Sequence, residues 1–121
     1  MIQRSYLLYL EDILNAMNKI EDYSRGIEYN DFVKNTMLNE AVIRNLEIIG
    51  EASKNIPRNL RKQYPNIPWK RMIGLRNIMI HEYFGVDLKI VWTIVTKNIS
   101  ETKPMIEEMI KQIRIMEDQF K

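Results

Sequence analysis

Apolar residues return at three- and four-residue steps over almost the whole chain, and no segment combines two-residue alternation with a hairpin turn. That spacing predicts an all-α fold, an up-and-down bundle of four to five main helices. There is no internal repeat, and 121 residues suit one domain, 1–121, that buries roughly two-thirds of its unfolded surface.

Leu7, Leu10, Leu14 and Met17, widened by Ile13 and Ile20, mark a first helix that should fade at Arg25-Gly26. Asn30 or Asp31 can cap a second helix running to about Asn55. Val33, Met37, Ala41, Ile48 and Ala52 mark one of its faces, and Val42, Ile43, Leu46 and Ile49 widen it. A helix apolar on more than one side is either central or lies at an oligomer interface. Gly50 within it costs about 1 kcal/mol relative to alanine, which points to a close helix crossing. Pro57, Pro65 and Pro68 punctuate the next connection, with RNLRKQY as a short basic helix between the first two. Trp69 opens a segment predicted to be helical to about His81. Gly85 and Val86 break it, and Asp87 caps DLKIVWTIVTKNI. Pro104 predicts a restart or kink between Ser100 and Pro104. Met105, Ile106, Met109, Ile110, Ile113 and Met116 then share one side of a last helix. Methionines at this spacing, like Trp69 and Trp92, read as core packing.

Without cysteine and with a single histidine, the chain offers neither a disulfide framework nor a usual zinc site, and no metal or cofactor is expected. No apolar run approaches the roughly 20 residues that span a bilayer. Glu11 and Asp12 interrupt any signal-peptide core, so the expectation is a cytoplasmic protein with no membrane partner. Charge is uneven. From Ala52 to His81 there is no acid, while Lys54, Arg58, Arg61, Lys62, Lys70, Arg71 and Arg76 give +7, leaving the rest at −5. Such a block is either a solvated surface or the footprint of a polyanion. On the second reading Arg58, Arg61, Lys62, Lys70 and Arg71 are candidate RNA contacts.

The lone histidine stands in RNIMIHEYFG, with Arg76 five residues before it and Tyr83 two after. These residue types suit metal-free RNA cleavage. An imidazole can take the proton of a ribose 2′-hydroxyl as that oxygen attacks the adjacent phosphorus. A guanidinium holds the phosphate and stabilises charge in the transition state, and a phenol can donate to the same group. The leaving 5′-oxygen needs an acid, which a second His81 across a twofold axis would supply. Asn77, one turn before His81, can orient the ring. Arg76 and His81 are about 140° apart on an ideal helix. The bland alternative is a histidine favoured by the dipole at a helix C-terminus. Glu47 and Glu51, at helical spacing, read as a solvated face.

RNIMIHEY resembles the R-x4-H-x-Y signature of the HepT-like toxins, a branch of the HEPN superfamily. AVIRNLEIIGEASKNIP, YPNIPWKRMIGLRNIMIHEYFGVD and DLKIVWTIVTKNI resemble successive blocks of the same family and cover about half the chain. The resemblance implies an all-helical homodimer, with paired motifs lining a composite cleft and acting as a metal-independent endoribonuclease. It assigns Arg76 to phosphate binding and His81 to acid–base chemistry. It further implies a toxin of a two-gene, type VII toxin–antitoxin system. The partner would be an MntA-type minimal nucleotidyltransferase that neutralises the toxin by transferring AMP to Tyr83. The rival is a non-catalytic, nucleotide-binding module that assists a nucleotidyltransferase.

Overall fold

The structure is a computed structural model that describes residues 5–81 and 87–119, the side chains of residues 77–81 excepted. Among the described residues all regular structure is helical: α1 (Tyr6–Ser24), α2 (Tyr29–Lys34), α3 (Thr36–Lys54), α4 (Arg58–Lys62), α5 (Trp69–His81), α6 (Leu88–Thr93) and α7 (Ile99–Gln119). A π-helical turn, Ile94–Asn98, joins α6 to α7, so the last long helix is continuous from Leu88. The expected all-α bundle is present. Its four long members are α1, α3, α5 and the α6–α7 helix. Helix α3 packs between α1 and α5, and α1 also packs against α7.

Helix α1 begins where Ser5 accepts the Leu7 N–H at 3.1 Å and stops before Gly26, whose φ of 75° suits a residue without a Cβ. It buries Leu10, Ile13, Ala16, Met17 and Ile20. Lys103 on α7 donates to Glu21 at 2.7 Å, and Arg114 donates to Glu11 at 2.6 Å, so α7 is tied to α1 by its rim as well as its core. The Glu21 carboxylate also raises the Lys103 pKa above its ordinary value.

The single second helix expected from Asn30 or Asp31 to Asn55 is two helices. Glu28 stands at the N-cap of α2, and Asn35 is extended and accepts the Leu38 N–H at 3.0 Å, starting α3 afresh. The break redirects the faces. Met37 is 85% exposed and Val33 is also exposed, while Val42, Leu46 and Ile49 form the core side with Asn39, Asn45 and Ser53. These buried polar groups donate to backbone carbonyls, Asn39 to Phe32 at 3.3 Å and Ser53 to Ile49 at 2.6 Å, which makes their burial tolerable.

The expectation at Pro104 also changes. The helix runs through Pro104, and the irregularity sits upstream, where Ile99 N–H bonds to Ile94 across five residues. Pro104 removes the bond to the Ser100 carbonyl, but both residues are exposed, so water can take that acceptor. Met116, predicted on the apolar side of this helix, is exposed, whereas Ile106, Met109, Ile110 and Ile113 are buried. Both tryptophans pack as expected. Trp69 is buried and donates to Tyr64 at 3.1 Å, and Trp92 meets Phe32 with ring centroids 5.1 Å apart.

Candidate active site at the crossing of α3 and α5

At Gly50 the backbones of α3 and α5 approach closely. A Cβ there would lie 2.6 Å from the Arg76 backbone nitrogen and 3.1 Å from the Met72 carbonyl oxygen, so no side chain fits without moving α5. This is the close crossing that a glycine inside an apolar helix predicts. The neighbouring residue completes it: Glu51 Oε2 stands 2.6 Å from Arg76 Nε. The Arg76 and Glu51 side chains keep 34% and 53% of their exposure. An ion pair this open contributes about 0–1 kcal/mol, which does not by itself offset the roughly 1 kcal/mol cost of glycine in the helix. The contact therefore does more to fix where Arg76 sits than to strengthen the fold.

Helix α5 is regular from Trp69 to His81, so its backbone does not close the 140° between Arg76 and His81. By helix register the arc between them carries Trp69, Lys70, Ile73, Asn77 and Ile80, of which Trp69 is buried. Arg76 and Asn77 are thus consecutive on a helix that is described as far as His81. The side chains of Asn77 and His81 lie outside the described residues, as does Tyr83 altogether.

The other basic candidates separate. Arg58, Lys62, Lys70 and Arg71 are exposed, and among the described residues no carboxylate pairs with them. Arg61 is half-buried, and its Nε donates to the Ile56 carbonyl at 3.0 Å, which secures the start of α4. Arg71 is turned from the Arg76 arc. It lines a pocket of about 520 Å³ between α5 and the π-turn region, whose walls include Met72, Leu75, Ile94 and Met105. Arg61 and Arg71 thus differ in setting from the exposed Arg58, Lys62 and Lys70.

Glu51 is the residue the sequence reading missed. With Glu47 it looked like a solvated acidic face, whereas Glu47 pairs with Arg44 on its own helix at 3.3 Å and Glu51 reaches across to α5. The available signal was the adjacency of Gly50 and Glu51: the position that forces a close crossing is followed by a carboxylate.

The profile of the family described as "Ribonuclease HepT-like" matches residues 13–113. The chain is 46% identical over 107 residues to "Putative RNase MJ1380" of Methanocaldococcus jannaschii, covering 88% of this chain and 98% of that protein. It is 44% identical over 110 residues to "Probable ribonuclease HepT" of Thermococcus cleftensis, covering 91% of this chain and all of the other. No solved structure matches the chain at a significant level. With a family match across most of its length and relatives this similar, the chain belongs to the HepT-like ribonuclease family.

Proposed function

We propose that the protein is a metal-independent endoribonuclease in which Arg76 and His81 act on an RNA phosphodiester. The observation that carries this reading is the partly exposed Arg76, held by Glu51 on the helix that includes the histidine. His81 takes the 2′-hydroxyl proton as that oxygen attacks phosphorus. Arg76 holds the phosphate and stabilises the added charge. The 5′-oxygen leaves with a proton from the same histidine of a second copy, giving a 2′,3′-cyclic phosphate and a 5′-hydroxyl. A homodimer supplies that second histidine, and exposed Arg58, Lys62 and Lys70 extend the path for the RNA backbone.

In the same reading the protein is the toxin of a two-gene pair. An MntA-type nucleotidyltransferase silences it by transferring AMP to Tyr83, adding negative charge and bulk beside the phosphate site. The enzymatic test is cleavage of RNA in EDTA by protein freed of AMP. Wild type should yield cyclic-phosphate ends, and His81→Ala and Arg76→Ala should lose them. RNA binding without cleavage by the wild type would instead support a non-catalytic partner module. Modification is tested separately: the nucleotidyltransferase and labelled ATP should label wild type but not Tyr83→Phe, and equal labelling would remove Tyr83 from the scheme.

A further inference from the structure

We propose that Glu51 is a positioning residue for Arg76, holding the guanidinium by its Nε edge during RNA cleavage. This rests on the ribonuclease reading above. Glu51 Oε2 is 2.6 Å from Arg76 Nε, and the pair spans two helices whose spacing is set one residue away, at Gly50. A guanidinium is a planar fork with donors on two edges. A carboxylate on the Nε side restrains the plane and leaves the far edge, with its two terminal nitrogens, to meet a phosphate.

The sign of the charge makes the role specific. A glutamate beside an RNA phosphate repels it, so Glu51 does not serve ground-state binding. What it supplies is a fixed Arg76 at the moment when negative charge on the phosphoryl oxygens grows. Removing it should therefore slow the chemical step and leave RNA affinity equal or tighter. A residue that merely held the fold would lower the melting temperature and affect both steps. One that touched RNA directly through a favourable contact would weaken binding.

The experiment compares Glu51→Gln, Glu51→Asp and the control Glu47→Gln with wild type in EDTA. Single-turnover cleavage is read on RNA, and affinity on a 2′-O-methyl RNA that lacks the attacking hydroxyl. Glu47 is the control because it lies one turn away and pairs with Arg44 on its own helix. Glu51→Gln should cut roughly ten- to hundredfold more slowly, the range expected when a reacting group is misplaced by about an ångström. Its affinity should not fall. Glu51→Asp, which keeps the charge on a shorter arm, should recover part of the rate, and Glu47→Gln should match wild type. The positioning role is overturned if Glu51→Gln cuts as fast as wild type, or if binding, cleavage and melting temperature fall together. A wild type that binds RNA and never cuts overturns the ribonuclease reading itself, a different result from an active wild type indifferent to Glu51.

Discussion

Helix α1 buries Leu10, Ile13, Ala16, Met17 and Ile20 almost completely and is tied at its rim to α7 by Glu11 and Glu21. Helix α5 buries Trp69, Met72 and Leu75 in its first half, each with some residual exposure, and borders an open pocket. It crosses α3 at Gly50, where backbone meets backbone and Glu51 meets Arg76. The difference shows how the molecule divides its work. The α1 core is closed against α3 and α7, whereas α5 packs along α3 and borders the pocket on another face.

That division can be broken from either end. The largest stability effect belongs to α1: Ile13→Ala should cost about 3 kcal/mol, because a fully buried branched side chain leaves a cavity in a packed core. A melting temperature lowered by less than a few degrees would mean the α1 core is looser than its burial indicates. Gly50→Ala comes next. Helix propensity alone favours alanine, but the Cβ must push α5 away from a backbone atom 2.6 Å distant, so a net loss of about 1–2 kcal/mol is expected, with slower cleavage. A stabilised variant would show that the crossing yields easily. Asn35→Ala should cost about 1 kcal/mol in chemical denaturation through loss of the α3 cap, with cleavage untouched. The smallest stability change is Arg76→Lys, below about 1 kcal/mol because the ion pair is half-exposed. Its cleavage rate should nonetheless drop sharply, since an ammonium cannot reproduce the planar fork.

The parts of this comparison legible in the sequence are those governed by local rules. The α1 stripe, its stop at Gly26, the α4 segment between prolines, the start of α5 at Trp69 and the Asp87 cap all follow from spacing and capping chemistry. The break at Asn35 was hidden because Asn30, Asp31 and Asn35 are all competent caps and the apolar spacing continues across them. The π turn was hidden because one extra residue per turn leaves no compositional mark, and Pro104 drew attention to the wrong place. For the site, the residue types that the proposed chemistry needs, Arg76 and His81, are legible in the sequence, but the partner of Arg76 is not. Glu51 and Arg76 are 25 positions apart, and only the packing of α3 on α5 brings them together.

The central claim, that α5 carries chemistry while contributing little to stability through Arg76, is tested most directly by Arg76→Ala. Its melting temperature and its single-turnover RNA cleavage rate in EDTA are read on the same preparation. The account predicts melting within a few degrees of wild type and a cleavage rate at least roughly a hundredfold lower, the size of effect seen when one preorganised transition-state donor is removed. A variant that melts like wild type and cuts RNA at the wild-type rate would contradict it.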